Sequence, residues 1–115
     1  MNPLTVSQLF SQARPLNGQH IVVVGRLRVG IEQQELWALD DFAPDPAVLF
    51  APAVWISTYK GRLLPWQDDG SVVRISGKLL VAPNPVWPGL GHMGGYWLEL
   101  KMGKRDRVTV VNGMG

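Results

Sequence analysis

The stretch from Gln19 to about Val29 begins with a run of apolar residues that leads into Gly25, and apolar and cationic residues alternate after it. The odd positions from Ile21 to Val29 share one side of an extended strand and are apolar apart from Gly25. The opposite side changes from apolar to cationic at Arg26 and Arg28. The pattern predicts a strand with one buried side and another side that meets solvent towards its end.

A second strand-like stretch, from Ser71 to Ala82, also has a glycine near its middle, Gly77. Glycine weakens a strand unless the backbone must bulge or bend sharply there, as at the corner of a barrel. Two strands bent at Gly25 and Gly77 therefore predict a small closed or nearly closed β-barrel.

Further apolar stretches predict the remaining strands, which are Glu35 to Asp41, Ala53 to Tyr59, Tyr96 to Met102 and a short last strand, Val108 to Val111. Proline is excluded from interior strands, so Phe42 to Pro52 and Pro83 to Gly95 are predicted to be connecting loops. Between the third and fourth strands, Pro65 limits any helix to a short turn.

The N-terminal segment predicts one short helix. Thr5 and Gln8 have the spacing of a capping box, with Thr5 as the N-cap residue. The helix is expected to run from about Val6 to Ala13, because Pro15 disfavours helical dihedral angles at the residue before it.

Composition adds only broad limits. The chain of 115 residues fits a single domain, residues 1–115, and 46% apolar residues provide ample core material. The formal charge of +2 permits nucleic-acid binding without arguing for it. The absence of cysteine excludes a disulfide framework, a thiolate nucleophile and a cysteine-ligated metal. Since no apolar run approaches the ~20 residues of a membrane-spanning helix and no signal-peptide pattern begins the chain, we expect a soluble cytoplasmic protein with no membrane span.

Taken together, these segments resemble the OB-fold, a five-stranded Greek-key barrel named for oligonucleotide and oligosaccharide binding. The likeness rests on four segments, which are Ile21 to Leu27, Leu39 to Asp41, Val73 to Leu79 and Tyr96 to Leu100. It covers Leu16 to Lys101. It implies a mainly β fold, with the barrel at about residues 16–111, a short N-terminal helix and five strands, a sixth strand being left open. Another small barrel, such as an SH3-like one, is the alternative.

The resemblance also implies where a ligand would bind. OB-folds bind on the face of the second and third strands and on the loops beside it, and single strands are held there by aromatic stacking and a cationic groove. The candidate nucleic-acid-binding residues are Arg26, Arg28, Trp37, Trp55, Tyr59, Lys60, Arg62, Arg74, Lys78 and Trp87.

Several aromatic candidates have a structural alternative. Trp37 has the same parity as Leu39, which favours a core role over stacking. Trp55 and Tyr59 face outward together if the residues between them fill the barrel, and they are then either covered by a loop or part of a binding patch. Trp87 lies between Pro85 and Pro88 in the long loop, where it either folds back on the barrel as a lid or contacts the ligand.

Three further aromatic residues are not candidates for binding. Trp66 and Trp97 are expected to pack against the protein, and His92 is expected to be an exposed loop residue. The candidates Arg26 and Arg28 have an alternative to phosphate binding, in which they are solvated or paired with carboxylates, as surface cations usually are, and the same alternative holds for Arg74 and Lys78.

No catalytic signature is present. The glycine-rich segment from Gly89 to Gly95 lacks the lysine and hydroxyl ending of a P-loop. Asp40, Asp41 and Asp45 lack the alternating oxygen ligands of a calcium loop. The sequence therefore predicts a non-catalytic module without a cofactor or metal. Its expected partner is single-stranded nucleic acid. The alternatives are a protein-interaction or structural module, through self-association or a peptide or envelope partner, and a site for a small ligand or oligosaccharide.

Overall fold

Seven strands and one helix are found in a computed structural model, which describes residues 2–40, 51–84 and 89–111. The helix α1 is Val6–Leu16, and the strands are β1 Leu4–Thr5, β2 His20–Gly30, β3 Gln33–Trp37, β4 Ala53–Ser57, β5 Val72–Val81, β6 Leu98–Lys101 and β7 Val108–Val110.

Five strands close into a barrel in the order β2-β3-β4-β6-β5 and back to β2. The pair β4–β6 is parallel, and the other barrel pairs are antiparallel. Two short strands lie outside the ring, with β1 parallel to β2 and β7 antiparallel to β5. The predicted mainly β barrel with a short N-terminal helix is confirmed. The sixth strand that the sequence left open is β7, and β1 was not predicted.

The two mid-strand glycines lie next to the points where the barrel turns its corners. Strand β2 pairs with β5 up to Arg26 and with β3 from Arg26 onward, directly after Gly25. Strand β5 passes from β2 to β6 at Lys78, directly after Gly77. A Cβ atom on Gly25 would lie 2.7 Å from Leu36 Cγ, and one on Gly77 would lie 2.9 Å from a backbone oxygen of β6. Only glycine allows the chains to approach this closely.

The interior is filled by residues of one parity from each barrel strand. In β2 these are the odd residues, as the alternation predicted. The fully buried barrel residues include Val23, Leu27, Leu36, Val54, Ile56, Val73, Ile75, Leu79, Leu98 and Leu100. Helix α1 adds Val6, Leu9 and Ala13 to the same cluster. Its capping box forms as expected, with the Thr5 hydroxyl accepting from the Gln8 amide and the Gln8 side chain accepting from the Thr5 amide.

Several element boundaries differ from the prediction, and strand β6 begins at Leu98 rather than Tyr96. Helix α1 continues to Leu16, because Gln12 leaves helical geometry (φ −124°, ψ 19°) and so relieves the clash that Pro15 would otherwise make with the preceding turn. Strand β3 begins at Gln33 and ends at Trp37, before Leu39 and Asp40. Strand β4 ends at Ser57, since the chain then enters a tight turn.

The segment between β4 and β5 forms only short turns, as was predicted from the position of Pro65. They are two 3₁₀ turns, Tyr59–Gly61 and Trp66–Asp68. In the part of the chain that the structure describes, no helix has the length and apolarity needed to cross a membrane. The predicted loop Phe42 to Pro52 lies outside the described residues except for its last two.

Candidate nucleic-acid interface

The outer face of β3 and β4 is where the resemblance to OB-folds places a ligand. On β3, Leu36 fills the barrel with no exposed surface, so Glu35 and Trp37 lie on the outer face. The interpretation that favoured a core position for Trp37 is therefore wrong, because it assumed that the strand extends to Leu39. On β4, Val54 and Ile56 fill the barrel, and Trp55 lies on the outer face as predicted.

A loop of the chain itself covers Trp55. His92 stacks on its ring with centroids 6.3 Å apart and planes at 24°, and Tyr96 packs against it at 5.2 Å. Gly91, with φ +67°, makes this possible, because a Cβ there would lie 2.7 Å from Trp55 Cγ. His92 Nε2 also lies 3.6 Å from the carboxylate of Glu32. His92 thus packs on Trp55 while 39% of its side chain stays exposed, so the loop histidine predicted to be exposed is partly so and also has a packing role.

Glu35 is buried beneath the same loop, at 5% exposure. The hydroxyl of Tyr96 donates a hydrogen bond to one carboxylate oxygen, and Trp37 Nε1 donates to the other at 3.4 Å. Burial raises the pKa of Tyr96, and the hydrogen bond to Glu35 and its negative charge raise it further. The aromatic residues of this face are therefore used to hold the loop to the barrel.

The two arginines of β2 have different surroundings. Arg26 is half-buried, and its Nη1 donates to the backbone oxygen of Gly70 at 2.6 Å. Arg28 is exposed and lies opposite Glu35 in the β2–β3 register. Arg26 therefore fastens the segment before β5, while Arg28 is accessible.

A row of cations crosses the outer surface of β5 and β6. Arg74 and Lys78 are exposed on β5, and Lys78 lies directly opposite Lys101 of β6. Arg107 is next to them, since its backbone exchanges hydrogen bonds of 3.3 Å with Ser76, the residue between Arg74 and Lys78 on this face. We call this set the cationic strip. Its members are Arg74, Lys78, Lys101 and Arg107.

Sequence reasoning found only part of this strip. Lys101 and Arg107 were not among the candidates, because nothing local shows which residue of another strand lies opposite Lys78. Within residues 2–40, 51–84 and 89–111, no member of the strip forms an ion pair with a carboxylate.

His20 and Asp106 hold the turn beside the strip. His20 Nε2 lies 2.6 Å from one carboxylate oxygen of Asp106, and the amide of Gly103 donates to the other at 2.6 Å. Burial acts to raise the pKa of Asp106, but the hydrogen bonds from Gly103, Ser76 and His20 outweigh it, and the pKa lies below its ordinary value. The carboxylate is therefore ionised and already occupied by partners.

The remaining candidates meet at one end of the barrel, in the turn after β4. Tyr59 is 36% exposed, and the ammonium of Lys60 lies 5.5 Å from the centre of its ring. Tyr59 and Arg62 line a cleft of about 140 Å³, and Arg107 of the cationic strip lines it too. We call this the end cleft. Tyr59 is thus placed apart from Trp55, which lies under the loop, although the sequence predicted a shared outward position.

Two apolar side chains beside the end cleft face solvent. Leu63 is 81% exposed and Trp66 is 54% exposed, so the expectation that Trp66 packs against the protein is wrong. Trp97 does pack as predicted, half-buried against Phe10 with ring centroids 6.0 Å apart. Trp87 lies outside the described residues.

No group of three or more His, Asp or Glu side chains with the arrangement of a metal site is found in the described part of the chain. The arrangement of the accessible groups suits binding, with cations on the sheet surface and the ring of Tyr59 at the end cleft. Comparison of the chain with protein-family models, with curated proteins and with solved structures returned no match.

Proposed function

We propose that this protein is a non-catalytic module with an OB-like fold that binds single-stranded nucleic acid. The closed five-stranded barrel supports the OB-like part of the proposal. The ligand would lie along the cationic strip and reach the end cleft, because Arg107 belongs to both. The cytoplasmic location inferred from the sequence stays a prediction.

The observation that carries the proposal is the pairing of Lys78 with Lys101. Like charges directly opposite each other in an antiparallel pair destabilise the sheet. Folding gains nothing from this arrangement, and the flanking Arg74 and Arg107 add to the positive potential. The negative charge of a bound polyanion would offset the repulsion between Lys78 and Lys101. Binding would also release the counterions condensed on the nucleic acid, which favours association.

The end cleft supplies the aromatic part of the interface. Non-sequence-selective proteins hold single strands by a charged groove together with aromatic rings on which bases stack. Tyr59 is the accessible ring next to the cationic strip, and Lys60 and Arg62 of the same turn bring further positive charge to it.

The proposal is tested by titrating the protein with a single-stranded oligonucleotide at several salt concentrations, with tryptophan fluorescence as the readout. Affinity should fall as salt rises, and Lys101→Gln should weaken binding and reduce the slope of log K against log salt by roughly 0.7. Arg14→Gln, which removes an exposed cation from α1, is the matched control and should leave binding unchanged. Absence of any binding at low salt would refute the proposal.

A second candidate function is self-association through the apolar residues at the end of the barrel. It is favoured by the exposure of Leu63 and Trp66, since exposed aromatic and aliphatic side chains in one segment mark interfaces. Sedimentation equilibrium distinguishes the two functions. A dimer that is insensitive to salt and is dispersed by Leu63→Ser would favour self-association over nucleic-acid binding.

A further inference from the structure

A histidine lies in line with the lysines of the cationic strip. His20 of β2 is directly opposite Lys78 of β5, and Lys78 is directly opposite Lys101 of β6. Directly opposite residues of neighbouring strands share one face of the sheet and lie about 4.5–5.5 Å apart. All three residues are exposed. We call this line of His20, Lys78 and Lys101 the cross-strand row, and it runs across three strands of the barrel surface.

One ring nitrogen of His20 is already bound. Nε2 lies 2.6 Å from a carboxylate oxygen of Asp106, a side chain that is 11% exposed. The pKa of Asp106 is below its ordinary value, so near neutral pH its carboxylate is ionised and only accepts hydrogen bonds. Nε2 therefore carries a proton and donates it to Asp106.

The other ring nitrogen, Nδ1, has a role that depends on pH. Neutral imidazole has one donor and one acceptor nitrogen, so a ring with its proton on Nε2 has a lone pair on Nδ1. In the imidazolium form both nitrogens donate. Among the residues that the structure describes, Nδ1 of His20 has no hydrogen-bond partner, and 62% of the side chain is exposed. A phosphodiester oxygen only accepts, so Nδ1 binds it only when the ring carries its second proton.

The charged groups that face His20 come from two elements. Lys78 of β5 repels a protonated ring, and Asp106 in the turn before β7 attracts it. Histidine is the side chain whose charge ordinarily changes between pH 5 and 8. A phosphate bound on the cross-strand row adds negative charge beside the ring and so favours the protonated form. Phosphate binding and protonation of the ring therefore promote each other.

We infer that His20, in its imidazolium form, donates a hydrogen bond from Nδ1 to a backbone phosphate of the bound single strand, next to the phosphate contacts of Lys78 and Lys101. The inference rests on the proposed function and adds a residue that sequence reasoning missed. It gives the interface two further properties. The single strand crosses β2, β5 and β6 along the cross-strand row, and its affinity rises as the pH falls below about 7.

The test measures affinity for oligothymidylate, whose bases keep their charge over the range used, at about pH 5.5 and about pH 8. The wild-type protein should bind about two- to fivefold more tightly at the lower pH, the effect of one exposed charge pair. His20→Gln keeps a donor for Asp106 but gains no proton, so the ratio of the two affinities should approach one. His92→Gln removes the other histidine of the chain and, as the matched control, should keep the wild-type ratio.

Salt dependence distinguishes a phosphate contact from an indirect effect of His20 on the turn held by Asp106. A contact that forms on protonation should steepen the slope of log K against log salt by roughly 0.7 at the lower pH, whereas a change in the turn would leave it the same. An unchanged slope, or a wild-type affinity ratio in His20→Gln, overturns the inference while the proposed function stands. If oligothymidylate binds at neither pH at low salt, the proposed function fails and the inference fails with it.

Discussion

The hydroxyl of Tyr96 donates a hydrogen bond to the carboxylate of Glu35, across 61 residues of sequence. Glu35 lies in β3 and is 5% exposed, while Tyr96 belongs to the loop that precedes β6. Among the described residues, no cation forms an ion pair with Glu35. The hydrogen bonds from Tyr96 and Trp37 are therefore what offsets the burial of this carboxylate, and they fix the loop to the barrel.

Removing the Tyr96 hydroxyl should destabilise the fold. Tyr96→Phe keeps the ring against Trp55 but leaves the buried carboxylate with one donor fewer, so we expect the free energy of unfolding to fall by about 1.5–3 kcal/mol. Urea unfolding followed by tryptophan fluorescence measures this. Tyr59→Phe, at a ring that is 36% exposed, is the control and should change stability by less than about 0.5 kcal/mol. Equal effects of the two substitutions would contradict the role given to the Tyr96–Glu35 bond.

The close approach at Gly25 should not tolerate even a methyl group. In Gly25→Ala the new Cβ would lie 2.7 Å from both Leu36 Cγ and the backbone oxygen of Trp37, which forces the corner open. We expect a loss of about 1–3 kcal/mol, the usual range for overpacking. Thermal unfolding measures this change.

Gly95→Ala is the matched control for that substitution. Gly95 has φ −91°, and a Cβ there would have nothing within 4 Å. Its stability should stay the same or rise by about 0.4–1 kcal/mol. If Gly25→Ala were as stable as Gly95→Ala, the barrel corner would not depend on glycine.

Acid should weaken the turn held by Asp106. The pKa of this carboxyl is lowered in the folded state from its ordinary value of 3.8, so the folded protein binds fewer protons than the unfolded chain between the two values. Its contribution to stability is therefore complete above about pH 4 and is lost as the pH falls through the folded pKa. Asp106→Asn should reduce the slope of unfolding free energy against pH in that acidic range. An unchanged slope would show that Asp106 is not the group responsible.

Reversing one charge of the cationic strip should separate stability from binding. In Lys78→Glu the new carboxylate faces Lys101, so we expect unfolding free energy to rise by about 0.2–1 kcal/mol while affinity for a single-stranded oligonucleotide falls. Lys104→Glu, in the exposed turn before β7, should change stability by less than about 0.5 kcal/mol. A loss of stability in Lys78→Glu would mean that Lys78 has a structural role that the register does not explain.

Features that depend on local spacing could be predicted from the order of residues alone. The alternation in β2 identified its buried side, and the glycines at positions 25 and 77 identified the two corners of the barrel. The Thr5–Gln8 capping box fixed the start of α1. These inferences succeed because side-chain direction in a strand and amide pairing at a helix start are set within a few residues.

Features that depend on which residues of different strands become neighbours are seen only in the folded protein. Trp37 lies on the outer face because its neighbour Leu36 fills the barrel. Trp55 is covered because His92 and Tyr96 fold over it, and Lys78 meets Lys101 because barrel closure sets their register. The end cleft likewise forms only where the turn after β4 meets the segment before β7. Such contacts depend on the register in which the strands pair when the barrel closes. The spacing of apolar residues within one strand does not specify that register.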